Sequence, residues 1–444
     1  MRNVVKAAAA FVLIGSLPGC SSSLGSTSGD DACPPGAACQ MPPPFQPPQQ
    51  PAPGPSATSN GDMAPPTLSN PQPTPVQPAA PTGPVFEPPL TDAERAQLGS
   101  IEGLVSAQPR NGLKATVVNE DKVLRAFLKW KQDFYRTCDD GSSYILKTDI
   151  TQGDAVVSEG IGYGMLIAVA VGDRPMFDGL WKHYEDRRND NGVMHWRYAP
   201  CGGRTGDNGA SDADLDAAMG LVLGESRWGG YAEDARALID TIGTNETQIC
   251  GGSQTVLKPG DSWGGCDIVN PSYFSPGYYR RFAQFQPERA DFWNDFTADT
   301  YALLDNYQGQ RDGLIPDWAR PDGSLFNDGR EVFGYEAVRG PWRVAVDYVW
   351  SGNEDARAFL QGMAAHVDTK GGLAQLADAD DFEDKRNSAF LGTLSLPGIV
   401  TTQAAFDQYV ADWEAYEKDD VWYYQATLRL LSLLLAGGYF PVEY

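Results

Sequence analysis

The sequence predicts an all-α domain set behind a long N-terminal region that cannot fold around a core. Three observations lead there. Seven segments repeat apolar residues at helical spacing, and no segment shows sustained period-two alternation. Gly-, Asn- and Asp-rich loops, such as Pro200–Gly209 and Cys250–Gly260, separate those segments. Proline is concentrated in one place: 20 of the 33 prolines lie between Ser21 and Leu90. The chain has 444 residues, so the part able to bury a core is about 350 residues, from Thr91 onward.

The elements follow in chain order. Residues 1–19 read as an export signal. Arg2 and Lys6 precede an apolar run, Ala7–Leu17, that is too short to span a bilayer. The run ends in Leu17-Pro18-Gly19-Cys20-Ser21, which resembles a bacterial lipoprotein cleavage box. Cys20 is therefore expected to carry a lipid and anchor the chain to a membrane. Ordinary signal cleavage beside a chance Cys, giving a secreted protein, is the alternative. Ser rather than Asp at position 21 points by the same resemblance to an outer-membrane or cell-surface destination. Residues 20–90 are expected to form a disordered, partly polyproline spacer that gives the folded part reach.

Residues 91–444 form the expected single domain. Asp121–Tyr135 places Val123, Leu124, Phe127, Leu128, Trp130 and Phe134 on one helical face. Gly160–Val171, Asp212–Leu223, Ala290–Tyr307, Pro341–Trp350, Glu354–Thr369 and Tyr423–Ala436 are the other expected helices. No repeat of fixed period is present.

Charge and cysteine usage narrow the function. The formal net charge is −24, and the first 90 residues hold two basic and four acidic groups, leaving −22 on the folded part. Such a surface lacks the basic footprint that nucleic acid requires. Eleven Trp and 19 Tyr exceed what an ordinary core needs and suggest a surface on which flat ligands stack. With Cys20 lipidated, six of the seven Cys remain, an even number suited to bridges in an exported chain. Short spacing suggests Cys33–Cys39 and Cys250–Cys266, leaving Cys138 with Cys201, although connectivity is not fixed by sequence. No CxxC pair is present and there are only three His, so a zinc site is not expected.

Without a GxSxG elbow, a phosphate loop or HExxH, the chemistry must come from carboxylates. Glu159 stands alone at the start of an apolar helix, among glycines that would allow a ligand to approach closely. Apolar surroundings raise a carboxyl pKa, as a general acid near neutral pH requires. Asp212, Asp214 and Asp216 lie within five residues. A solvated acidic first turn with an N-cap would account for one or two of them. Glu336 lies three residues before Arg339 and next to Tyr335. A structural Glu–Arg pair is the simpler reading of that motif.

Taken together, these blocks resemble glycoside hydrolase family 8. The resemblance runs from about Asp121 to the C-terminus, and Ser158-Glu-Gly-Ile-Gly-Tyr-Gly-Met165 is its strongest block. Ala210–Asp214, followed at a distance by Trp228, is similar to the family signature but departs from it at Ala217, Gly220 and Gly224. Asn270-Pro-Ser-Tyr-Phe274, Ile315-Pro-Asp-Trp318 and Tyr423-Tyr424…Leu428–Leu431 complete the likeness. The resemblance implies an (α/α)6 barrel with a cleft across one end and inverting hydrolysis of a β-1,4-linked polysaccharide. It assigns Glu159 as general acid, Asp212 as the contact of the central sugar, and Tyr273 as a neighbour of the catalytic water. It also assigns Trp196, Trp263 and Tyr335 as sugar-stacking residues and Arg339 as a neighbour of the base. Neither metal nor organic cofactor is required.

The departure that matters is Glu336, where the family usually has Asp. An inverting enzyme needs its base about 6.5–9.5 Å from the acid, with room for one water. One extra methylene moves a carboxylate by roughly 1.5 Å, which stays within that range. Glu336 is thus the expected base, with Asp347 as the substitute candidate. An endo-β-1,4-glucanase acting as a monomer on cellulose or β-glucan is the expected activity. Xylanase and chitosanase of the same family are alternatives, as is a non-catalytic polysaccharide-binding lipoprotein.

Overall fold

Two kinds of helix alternate along the chain. The first is buried on most of its sides; the second is buried along one stripe and belongs on an outside layer. The computed structural model describes residues 88–99, 101–105, 110–148, 153–373, 387–416 and 422–441. All of these belong to one compact unit. The outer helices are α2 (Glu120–Phe134), α4 (Arg174–Glu185), α6 (Ala232–Asn245), α8 (Ala290–Gln310), α10 (Glu354–Thr369) and α12 (Gln403–Tyr416). The inner helices are α3 (Ser158–Val171), α5 (Ser211–Trp228), α7 (Pro276–Phe285), α9 (Arg339–Ser351), α11 (Ser388–Ser395) and α13 (Tyr423–Gly437). A short α1 (Asp92–Leu98) with a Thr91–Glu94 capping box precedes them and packs on α2.

The inner helices touch in the cyclic order α3–α5–α7–α9–α11–α13–α3, and each is backed by one outer helix. This closed double ring is the (α/α)6 barrel. Sequence and structure agree on all seven expected helices to within five residues at either end. Five further helices of the ring were not expected. α4 and α7 open on prolines that read as breakers but occupy the first turn, where proline is tolerated. α6 and α12 carry only a narrow apolar stripe, and α11 has just eight residues.

Short strands add to the all-helical expectation. β1 (Tyr135–Thr137), β2 (Ser143–Lys147), β3 (Ala155–Val157), β4 (Arg197–Tyr198) and β5 (Arg204–Gly206) form an antiparallel sheet in that order, and β6 (Thr247–Cys250) pairs with β7 (Gln254–Leu257). At two to five residues each, they are too short for alternation to show in sequence. The bridges Cys138–Cys201 and Cys250–Cys266 are formed, with Cα separations of 5.6 and 5.4 Å. The first staples the β1–β2 turn to the β4–β5 turn. The expected Cys33–Cys39 pair, Cys20 and the export signal lie outside the described residues.

Candidate active site

The sheet delivers the first acid. β3 runs directly into α3, and Val157 pairs with Arg197 of β4. The Ser158 amide donates to the Trp196 carbonyl at 3.0 Å, so strand pairing sets Trp196 beside the turn that carries Glu159. The neighbouring glycines serve a different purpose from the one expected. A Cβ at Gly162 would stand 2.8 Å from the Ala213 carbonyl and from Asp216 Cβ, and one at Gly160 would crowd the Tyr423 hydroxyl at 3.2 Å. They let α3 lie close to α5 and α13, not to a ligand. Gly220 and Gly224 of α5 do the same for Met165 and Phe177, which accounts for the departures from the family signature there.

The three acids of α5 are all buried, so none forms a solvated first turn, and Ala210 at the N-cap offers no capping side chain. Asp212 accepts from Arg339 Nη1 at 2.8 Å. Asp214 accepts the Tyr184 hydroxyl and faces Glu246. Asp216 is held by both terminal nitrogens of Arg343, at 2.8 and 2.9 Å. The loop entering α5 is fixed by Asp261, which accepts the Gly209 amide at 2.7 Å and the side-chain amides of Asn189 and Asn191 at 2.8 Å.

Arg339, the first residue of α9, gathers the site. Its Nη1 donates to Glu159 Oε2 at 2.9 Å as well as to Asp212, and its Nη2 contacts Glu336 Oε2 directly. Asn270 Nδ2 also donates to Glu336 Oε2, at 2.8 Å, and the Tyr423 hydroxyl donates to Glu159 Oε1 at 2.8 Å. The guanidinium lies over the Tyr273 ring, 4.8 Å from its centre. Thus Glu159, Asp212, Tyr273, Glu336 and Arg339, drawn from four separate parts of the sequence, meet at one end of the ring. Asn270 and Tyr423 belong to the site too. Their blocks were recognised in sequence, but neither had an assigned role, because their partners lie 66 and 264 residues away.

Exposure and charge divide the three acids. The Glu159 and Glu336 side chains keep 19% and 14% of their surface open, whereas Asp212 keeps 2%. Only the first two can therefore meet solvent and substrate without rearrangement. Burial raises the Glu159 pKa above the usual carboxylate range, against the opposing pull of Arg339. Burial likewise pushes Asp212 up to about 8, again against Arg339 and with Glu159 adding repulsion. Asp212 Oδ1 has no hydrogen-bond partner among the described residues. Asp347 is placed elsewhere. It is fully buried and bonded to Arg280, Tyr301 and Ser351. Among the described residues it shares no partner with the Arg339 cluster, and it supports the packing of α9, as the sequence reading of it as a helix-supporting residue allows.

The aromatic residues form a path away from the acids. Trp263 packs against Trp318 at 5.7 Å between ring centres, and Trp318 against Tyr273 at 6.4 Å. Trp196 and Trp263 each lie against a glycine: a Cβ at Gly206 or Gly260 would stand 2.5 or 2.6 Å from the indole nitrogen. Both indoles remain partly open, as does Trp318, which sits in the recognised Ile315–Trp318 block. Tyr335 differs. It is 6% exposed, packs edge-on against Phe390 at 5.1 Å and accepts from Asn387, so it presents no comparable open face.

The comparisons with known proteins agree with this picture. The family model for glycosyl hydrolases family 8 matches residues 111–438. Endoglucanase A of Acetivibrio thermocellus is 31% identical over 330 residues, covering 70% of this chain and 68% of that protein. Endoglucanase 2 of Ruminiclostridium josui is 32% identical over 314 residues, covering 67% of each. Among solved structures, the β-1,3-1,4-glucanase of Paenibacillus sp. X4 superposes with a TM-score of 0.65 at 21% identity, over 76% of this chain and 96% of that one. Rex8A of Paenibacillus barcinonensis, complexed with xylose, gives 0.62 at 20% identity, over 75% and 98%. With a closed double ring, a cluster of acids at one end and a family match that runs from before α2 to the end of α13, this chain belongs to glycosyl hydrolases family 8.

Proposed function

We propose that this glycoside hydrolase is an inverting endo-β-1,4-glucanase acting on cellulose or a related β-glucan. The observation that carries the mechanism is the single guanidinium of Arg339 binding Glu159, Asp212 and Glu336 while leaving the first and last accessible. The endoglucanase relatives support the choice of substrate. Sugar rings stack on the partly open faces of Trp196, Trp263 and Trp318, because aromatic faces suit the C–H faces of equatorial β-linked sugars. Protonated Glu159 donates to the glycosidic oxygen as the bond to the anomeric carbon breaks. A water attacks that carbon from the opposite face and gives its proton to Glu336, leaving an inverted product. Asp212 reaches a hydroxyl of the central sugar through its unpartnered Oδ1 once substrate entry shifts the groups that cover it, a contact that tightens as the ring distorts.

Glu159→Gln is expected to lower kcat on a soluble β-glucan by about 10³-fold or more while chain binding stays near normal. A near-normal rate would remove Glu159 from the role of acid. Reducing-sugar release from carboxymethyl cellulose, lichenan, xylan and chitosan ranks the substrates. Greater release from xylan or chitosan would replace glucan in this reading, and binding without release from any of them would identify a non-catalytic binder.

We also propose that the chain is exported and anchored through lipid on Cys20, with residues 20–90 as spacer. The cleavage-box resemblance and the proline-rich composition support this.

A further inference from the structure

We propose that Asp317 is a positioning residue for Glu336, holding the backbone on both sides of the base so that its carboxylate reaches the catalytic water. This rests on the reading of Glu336 as the base.

Asp317 lies in the segment between α8 and α9, and its carboxyl is largely buried. Its Oδ1 accepts two backbone amides, from Gly334 at 2.8 Å and from Ala337 at 2.7 Å. Those amides bracket Tyr335 and Glu336. Gly334 has room for this only because it lacks a side chain: a Cβ there would collide with Asp317 Oδ2. The turn leads into α9, whose N-cap residue, Val338, supplies no capping side chain. Asp317 thus satisfies, from 17 and 20 residues upstream, two amides of the turn that precedes α9.

The Glu336 side chain is held by the same piece of structure. Ala319 and Val269 exchange both backbone hydrogen bonds, at 2.9 and 3.1 Å. That antiparallel bridge places Asp317, two residues before Ala319, and Asn270, one residue after Val269, on the same side of it. Asn270 fixes the Glu336 carboxylate at 2.8 Å, while Asp317 fixes its backbone. The Asp317 amide is itself tied to the Val332 carbonyl at 2.8 Å, so the clamp is anchored on both strands of the loop. A Glu arm has one torsion more than the Asp usual at this place. A longer arm over a loose turn would let the carboxylate wander, and a displacement of 1 Å costs about 10² in rate. The fixed turn removes that freedom. Glu336 and Arg339 are the charged groups facing Asp317, and burial followed by repulsion from Glu336 raises its pKa to about 7.

The test is a double-mutant cycle on soluble cello-oligosaccharide. Asp317→Ala should lower kcat by about 10²-fold with KM within about threefold. Asp317→Asn retains the carbonyl oxygen that accepts both amides, and should recover all but about fivefold of kcat. In a Glu336→Gln background, Asp317→Ala should cost less than about threefold more, because a residue acting through the base has nothing left to position. Equal losses in both backgrounds, or a kcat for Asp317→Ala within threefold of the parent, would overturn the proposal while leaving Glu336 as base. A Glu336→Gln enzyme with near-parental kcat would instead remove the reading beneath it. Should Asp317→Ala fail to fold, the Asparagine variant carries the cycle: it overturns the proposal if its loss in kcat persists undiminished in the Glu336→Gln background.

Discussion

Three carboxylates share one guanidinium, and each is tuned by what else it touches. Glu159 differs from its partners in having a phenol as its second donor. The Tyr423 hydroxyl stabilises the ionised carboxylate and so works against the burial that raises the Glu159 pKa. Removing that hydroxyl leaves burial less opposed, and the pKa should rise further. A general acid must be protonated to act, so the alkaline limb of kcat/KM should move to higher pH in Tyr423→Phe. The loss of kcat at the optimum should stay below about tenfold, the equivalent of one hydrogen bond of about 1.4 kcal/mol. A pH–rate profile on a soluble substrate checks both parts, and an alkaline limb that stays put or moves down would contradict the assignment. The sequence showed Glu159 as an acid in apolar surroundings, and the family resemblance gave it the role of general acid. It could not show Tyr423 as its donor, since ring closure alone brings the two together.

At the scale of the element, α5 and α9 form a two-rung ladder. Asp212 and Asp216 are one helical turn apart on α5, and Arg339 and Arg343 are one turn apart on α9. The inner ring places α7 between these helices, so the two ion pairs join elements that are not neighbours in the ring. The acidic start of α5 therefore has a packing explanation that composition hid: a run of Asp looks solvated until its partners, more than 120 residues on, are known. Asp214 points to a different neighbourhood, against Glu246 at the end of α6, with the Tyr184 hydroxyl on its other oxygen. Two fully buried carboxyls in contact cannot both ionise at ordinary cost, so the pair keeps a proton. Burial first, then each other's charge, raise Glu246 well above its ordinary range, and burial raises Asp214 to about 7 from an ordinary 3.8. A raised folded-state pKa means that the stability due to the held proton is complete below about pH 4 and is lost as pH rises through about 7. Asp214→Asn keeps an acceptor for Tyr184 and presents a permanent donor to Glu246. Its melting temperature should fall less between pH 4 and 8 than that of the parent, by at least about 1–2 °C, the response to roughly 1 kcal/mol in a domain of about 350 residues. Parallel melting curves across that range would show that the pair holds no proton in the folded state.

At the scale of the molecule, the ring is closed by its own ends. The Trp130 indole of α2 donates to Thr427 of α13 at 2.9 Å, the Ala115 amide donates to the Ala436 carbonyl at 2.9 Å, and Lys122 pairs with Glu414. Contacts spanning nearly 300 residues bring Tyr423 back onto Glu159. This is why the helices with broad apolar faces were legible in sequence and the ring order was not, except through the family resemblance: periodicity reports what a segment buries, never which segment buries it. Closure also sets where the working unit starts. Arg125 of α2 donates to the Pro88 and Pro89 carbonyls and pairs with Glu94, so the described fold takes up the chain at about the end of the proline-rich stretch. Every group placed at the site lies between Glu159 and Tyr423. If residues 20–90 serve as a tether from lipid on Cys20, chemistry and anchoring should separate cleanly. Cys20→Ser is expected to move the protein from the membrane fraction to the soluble exported fraction, while kcat/KM on a soluble glucan stays within about twofold of the parent, since reach matters only for substrate fixed in place. On insoluble cellulose presented to intact cells, the released enzyme should instead act away from the cell surface. Retention of Cys20→Ser in the membrane fraction after a carbonate wash would show that something other than this cysteine holds the chain there.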